Sequence, residues 1–122
     1  MKGTKELGRQ GEELAQAYLE ERGFKVLERN FRCAMGEVDL IAKEKDTIVF
    51  VEIKMRMKAG LGVAKEAVDE RKQRQISKVA LYYLKQKGLL GKRSRFDVVA
   101  VSKEEEEFKF ELIRNAFELK GP

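Results

Sequence analysis

Residues 48–54, Ile-Val-Phe-Val-Glu-Ile-Lys, open with four consecutive apolar side chains. Side chains of a strand alternate between faces, so a run that is apolar at every position is buried on both. Such a strand belongs in the middle of a sheet. Glu52 and Lys54 then stand where more apolar residues should follow. Ionised groups are costly to remove from water unless paired or bound to a cation. Their place at the end of an interior strand points either to chemistry or to a strand that simply surfaces.

The flanking pattern supplies the rest of a sheet. From Thr4 to Arg22 the residues Leu7, Gly8, Gly11, Leu14, Ala15, Tyr18 and Leu19 recur at threes and fours, which predicts an amphipathic helix ended by Gly23. Gly8 and Gly11 weaken a helix, so both are expected where backbone packs closely against a neighbour. Glu12 shares the side of Gly8, Ala15 and Leu19 and borders the core face, whereas Glu13 points away. Three strand-like runs follow, Phe24 to Arg32, Glu37 to Ala42 and Thr47 to Lys54, broken by Cys-Ala-Met-Gly and Lys-Glu-Lys-Asp turns.

A second helix is expected from about Ala64 to Lys87, with Ile76, Val79, Ala80, Tyr83 and Leu84 as its apolar stripe and Gly88 and Gly91 beyond its end. The segment 57–62 before it reads as a flexible loop over a substrate. Residues 95–102 and 108–113 form a closing hairpin around four glutamates in a solvated turn. The order α-β-β-β-α-β-β predicts an α/β fold, a mixed sheet flanked by helices. With 122 residues the chain is long enough for one core, so residues 1–122 are expected to be a single domain.

Composition narrows the chemistry. Histidine is absent, which excludes an imidazole-assisted serine or cysteine nucleophile and a histidine-ligated zinc site. Carboxylates and lysines must carry any catalysis. Cys33 is the one cysteine and cannot form an internal disulfide, and no apolar run approaches the roughly 20 residues of a membrane helix. A cytoplasmic protein with no membrane contact is expected. The high charged fraction of 39% and the scarcity of asparagine lean toward a thermophilic source. A net charge of +5 tilts the partners toward polyanions.

Alternation puts Ile48, Phe50, Glu52 and Lys54 on one face of their strand. In the strand before it Glu37, Asp39 and Ile41 share a face, and a short hairpin through Asp46 brings Asp39 alongside Glu52 if the register permits. Two carboxylates that close repel unless a cation sits between them. Magnesium fits, since it accepts one or two carboxylates, keeps several waters and polarises a phosphate. Lys54 would then orient or deprotonate the attacking water, or neutralise charge on the phosphoryl oxygens. The same spacing also arises on exposed strands, where it is only a surface salt bridge. Asp97, preceded by Arg95 and followed by apolar residues, reads as structural.

The stretches "GEVDLIA" and "IVFVEIKMR" resemble the bipartite signature of the PD-(D/E)XK nuclease superfamily, with Asp39 as its acidic residue and Glu52-Ile53-Lys54 as its E-x-K. Val38 stands where the proline that names the superfamily would be. Together with "GRQGEELAQAYLEERGF", "LERNFR", "RKQRQ" and "RFDVVAV", the pattern resembles the small bacterial YraN family of endonuclease-like proteins, related to archaeal Holliday junction resolvases. The resemblance covers nearly the whole chain. It implies a restriction-endonuclease-like fold, with Asp39, Glu52, the Ile53 carbonyl and Glu12 as ligands of Mg2+ (or Mn2+) and Lys54 as the catalytic lysine. It also implies that Gln73, with Lys72 before it, borders the site from the second helix.

Ten basic residues lie between Lys65 and Arg95, against Glu66, Asp69 and Glu70. Arg71, Arg74 and Lys78 lie off the apolar stripe and can meet phosphates, as can Arg56 beside Lys54, although a merely solvated helix face would look the same. Three functions stay open on these grounds. They are a Mg2+-dependent endonuclease acting on DNA, branched or otherwise structured, a non-catalytic nucleic-acid-binding or recruitment module, and a purely structural domain. A homodimer is left open.

Overall fold

In the computed structural model, which describes residues 4–56 and 68–121, the apolar run lies where its pattern requires. Ile48, Val49, Phe50 and Val51 are at most 4% exposed. They belong to β3 (Thr47–Arg56), the third strand of a five-stranded sheet ordered β1-β2-β3-β4-β5. Its neighbours are β1 (Lys25–Cys33), β2 (Gly36–Glu44), β4 (Arg93–Glu104) and β5 (Glu107–Phe117). Every pairing is antiparallel except β3 with β4. A parallel pair needs a crossover, and α2 (Glu70–Gln86) lies on it. The other helix among the described residues, α1 (Thr4–Glu21), precedes the sheet.

Alternation along β3 divides the core in two. Val49, Val51 and Ile53 join Leu40, Val99 and Val101 under Ala15 and Leu19 of α1. Ile48 and Phe50 join Ile41, Phe96 and Val98 under Ile76, Val79, Tyr83 and Leu84 of α2. The helices therefore cover opposite faces, and the mixed sheet flanked by helices is the observed architecture. On the α2 face a row of rings runs across the strands. Tyr83 meets Phe31 at 5.1 Å and Phe50 at 6.0 Å, edge to face, and Phe50 continues to Phe96 at 5.7 Å and Phe117 at 4.7 Å. Burying each such ring contributes roughly 1.5–3 kcal/mol.

Both helices end in the same way. Gly23 and Gly88 adopt φ of +94° and +69°, and the next residues, Phe24 and Leu89, donate back to Leu19 and Leu84 at 3.1 and 2.7 Å. This arrangement satisfies carbonyls that a helix end leaves open and suits glycine in the left-handed position.

Several boundaries differ from those read off the sequence. α2 begins at Glu70, because Asp69 caps it by accepting from the Lys72 N–H at 2.9 Å; the expected earlier start, residues 64–67, lies outside the described residues. β5 continues to Phe117 through a register shift near Phe96 and Val98 and a left-handed Asn115 (φ +53°). Gly11 does approach a neighbour, since a Cβ there would collide with the Met55 thioether. Gly8 has nothing within 4 Å of such a Cβ among the described residues. Val38 and Ile41 enter one cluster despite their opposite parity, so strict alternation of Glu37, Asp39 and Ile41 fails. The left-handed Asn30 (φ +49°) lies opposite this stretch in β1. The four glutamates turn as expected, with exposed Glu105 and Glu106 at φ +46° and +74°.

Asp97 is fully buried and structural. It accepts from Arg95 Nε and from the Asn115 N–H, both at 2.9 Å, while Arg95 and Arg114 reach Glu44 at 2.5 and 2.6 Å. This cluster ties β2, β4 and β5 together. Asp97→Ala leaves Arg95 without its buried partner and should cost about 3–5 kcal/mol, read as a lower chemical-denaturation midpoint at unchanged slope. Asp97→Asn keeps an acceptor and should cost less; a loss below about 1 kcal/mol for Asp97→Ala would place the cluster among weak surface pairs.

Candidate functional site

The backbone ladder between β2 and β3 starts at Glu44–Thr47 and ends at Leu40–Val51. One step further the same register sets Asp39 opposite Glu52, while β3 keeps its pairing with β4 through Ile53–Val99 and Lys54–Ala100. The Ile53 N–H donates to Asp39 Oδ2 at 2.7 Å, so a carboxylate takes the bond that a strand carbonyl would have taken. Glu52 is only 8% exposed and hydrogen-bonds to Asp39. From α2, Lys72 Nζ lies 3.6 Å from Glu52 Oε2.

Burial is the chief electrostatic force on this pair. Together with the Asp39 charge it pushes the Glu52 carboxyl up to about 8, against the opposing charges of Lys72 and Lys54. Burial also raises Asp39, while the Ile53 N–H and the hydrogen bond with Glu52 hold it back. Glu12 on α1 is raised by burial and then by the charge of Asp39, with Arg29 opposing. Three acids therefore feel one another across the point where the strands part. The two central ones keep a proton between them at neutral pH.

The model of the uncharacterised protein family UPF0102 matches residues 11–101. The chain belongs to this family. UPF0102 is the YraN family to which the sequence resemblance points. A UPF0102 protein of Syntrophus aciditrophicus is 52% identical over 112 residues, covering 92% of this chain and 88% of the relative. One of Geobacter sulfurreducens is 51% identical, covering 95% and 91%. Among solved structures, SfsA of Pyrococcus furiosus in complex with Ca2+ is similar at a TM-score of 0.42 and 14% identity, over 91% of this chain and 62% of that one. That likeness is too distant to bear on the site.

Within this UPF0102 chain, Asp39 and Glu52 meet directly and Glu12 stands within electrostatic reach of Asp39. Lys54 is exposed on β3, near enough for its charge to act on Glu52. Lys72 turns inward to Glu52, because it lies one helical turn before Ile76 in the stripe that faces the sheet. Gln73 Nε2 donates to the Val68 carbonyl at 2.8 Å, just before the start of α2. Arg71 and Lys78 are exposed, and Arg74 pairs with Glu70 at 3.7 Å. The Arg56 side chain and the segment 57–62 lie outside the described residues. Gln75 was not singled out from sequence, although its spacing of three from Lys72 sets it on the same side; it lines a cleft of about 240 Å3 with Asp69, Arg71 and Lys72.

Among the described residues no group of three His, Cys, Asp or Glu side chains forms a metal cage. The donor set is the Asp39–Glu52 pair. Two hard oxygen ligands suit Mg2+, which completes its shell with water, and a cation between them relieves the repulsion that holds the proton there.

Divalent binding must therefore displace that proton. Mg2+ affinity should rise with pH up to about 8 and then level off, with about one proton released per ion at pH 7 and almost none above about pH 9, read by calorimetry in buffers of different ionisation heat. Asp39→Asn and Glu52→Gln should each weaken Mg2+ by at least about tenfold while leaving the fold intact. The folded Glu52 carboxyl titrates above its unfolded value of 4.5. Its ionisation therefore costs stability as pH rises between those values, and Glu52→Gln removes that loss. Unaltered affinity in both variants would remove the pair from any metal site.

Proposed function

We propose that the chain is a magnesium-dependent endonuclease of the PD-(D/E)XK type that hydrolyses phosphodiester bonds in DNA, branched or otherwise structured, with Mn2+ as an alternative ion. One observation carries the reading. Two carboxylates, Glu52 buried and Asp39 partly buried, meet where a strand ladder ends, with a lysine two residues on and a basic helix beside them. The agreement in element order and the E-x-K spacing support a restriction-endonuclease-like fold.

Asp39 and Glu52 would hold the ion, with the Ile53 carbonyl and Glu12 beside them. When bound, the metal polarises the phosphate and its water. Lys54, exposed on the same strand, can orient or deprotonate the attacking water, or neutralise charge growing on the phosphoryl oxygens. The water oxygen bonds to phosphorus as one ester P–O bond breaks, and the departing oxygen leaves as an alcohol after taking up a proton. Arg71, Arg74 and Lys78 supply sequence-independent phosphate contacts along the exposed side of α2.

A second reading, a module that binds nucleic acid without cutting it, is favoured by the Lys72–Glu52 ion pair, which neutralises a carboxylate without metal. Mg2+-dependent nicking of duplex, single-stranded, flap and four-way DNA separates the two. In a nicking protein, Lys54→Ala should lose at least about 100-fold in cleavage while keeping DNA and Mg2+ affinity nearly unchanged. Lys54→Arg should fail as well, because a guanidinium does not readily give up its proton. Equal nicking by Lys54→Ala and wild type would make that lysine a solvated strand residue.

The basic face has its own test. Alanine at Arg71, Arg74 and Lys78 together should weaken DNA binding uniformly across sequences and flatten its salt dependence by up to about three phosphate contacts. An unchanged salt slope would return these residues to an ordinary solvated face.

A further inference from the structure

Lys72 occupies two places at once. Its Nζ lies 3.6 Å from Glu52 Oε2, and its side chain also lines the open cleft with Asp69, Arg71 and Gln75. The partners of the ion pair are unequally held. The Glu52 side chain is 10% exposed and fixed by the strand, whereas that of Lys72 is 35% exposed at the mouth of the cleft. A separation of 3.6 Å is longer than the roughly 2.7–2.9 Å of a locked ammonium–carboxylate hydrogen bond. The Asp69 carboxylate in the cleft already accepts from the Lys72 backbone N–H, which pins the helix start and leaves the Lys72 side chain on a flexible stem.

We infer that Lys72 is an exchangeable counter-ion, which compensates the negative charge of the Asp39–Glu52 pair until a divalent cation takes the pair and then serves a DNA backbone phosphate in the adjoining cleft. The inference rests on the metal-site reading proposed above. An ammonium and a divalent ion repel each other, so both do not remain on one carboxylate at close range. The doubly charged ion wins the carboxylate pair, and the displaced ammonium has the cleft beside it, where Arg71 also points to an anionic occupant. A cleft of about 240 Å3 is roomy enough for a phosphate with its waters. Metal and DNA then bind cooperatively, and the coupling is reciprocal. Without metal, a cation that would hold DNA is spent on Glu52.

The test measures how much Lys72 contributes to binding a short DNA duplex, with and without metal. Wild type and Lys72→Met are compared by fluorescence anisotropy in chelator and in Ca2+, a hard cation that takes the same oxygen ligands. In chelator the variant should differ less than about twofold. In Ca2+ it should bind about tenfold more weakly, as for the loss of one charged contact. In a Glu52→Gln background Lys72 loses the carboxylate 3.6 Å from its Nζ and keeps only the weaker pull of Asp39, so Lys72→Met should cost clearly more in chelator than it does with Glu52 present, approaching about tenfold. Equal losses with and without Ca2+ would make Lys72 a permanent phosphate contact, and no loss in either would make it only a partner of Glu52; each overturns the inference. Calorimetry of Ca2+ on the same samples tells the failures apart. A wild type that binds no Ca2+ removes the metal site and this inference together, whereas bound Ca2+ with a metal-independent Lys72 effect removes the inference alone.

Discussion

The hydrogen bond from the Ile53 N–H to Asp39 Oδ2 is the contact on which the site depends. β2 and β3 stop pairing after Leu40–Val51, yet β3 runs on beside β4 into a region that is still buried. An inward backbone N–H left without an acceptor there would cost as much as a lost hydrogen bond. Asp39 supplies that acceptor. In doing so it is held one register step beyond the ladder, opposite Glu52, and the two acids are forced into contact in a place with little water. The shifted titration of Glu52 and the attraction of Lys72 both follow from that termination.

The opposite end of the same strands solves a different problem with similar residues. Near the start of β3 and β4 the acids Glu44 and Asp97 are matched by Arg95 and Arg114, and the hydrogen bonds from Arg114 and Arg95 hold the Glu44 carboxyl below its usual range against the opposing effect of burial. That cluster is balanced in charge. Around Asp39 and Glu52 burial is the largest influence and outweighs the nearby lysines, so both carboxyls are raised. One end of the sheet is closed by paired ions, while the other is left with charge to be compensated. Because the helices lie on opposite faces, the parting strands also let Glu12 of α1 and Lys72 of α2 act on the same pair of acids.

What could be read from sequence was what depends on local periodicity. Alternation along residues 48–54 gives the interior strand and the shared direction of Glu52 and Lys54, and the short turn at Lys45 and Asp46 fixes the register that brings Asp39 across. Helical spacing likewise sets Glu12 toward the core. Contacts that depend on how distant elements pack were not legible. The resemblance implies Lys72 at the border of the site, whereas its pairing with Glu52 depends on how α2 lies across the sheet. Arg95 meets Glu44 across 51 residues. The continuation of β5 past Ile113 depends on a left-handed Asn115 whose neighbours, Arg114 and Ala116, break the apolar alternation.

The position of the acids bears on the choice between cutting and merely binding. A face that only held DNA would gain from Arg71, Lys72, Arg74 and Lys78 and lose from carboxylates set among them, because each carboxylate repels the phosphates the helix attracts. Glu52 and Asp39 also weaken the fold, since ionising a buried, repelling pair is unfavourable at any pH where both would be charged. A surface salt bridge contributes little and needs no burial. A divalent ion reverses both penalties. It screens the acids from each other, and it turns their charge from a repulsion toward phosphate into a bridge to it. The proposed metal-assisted reaction would therefore put to use the acids that charge attraction alone would exclude.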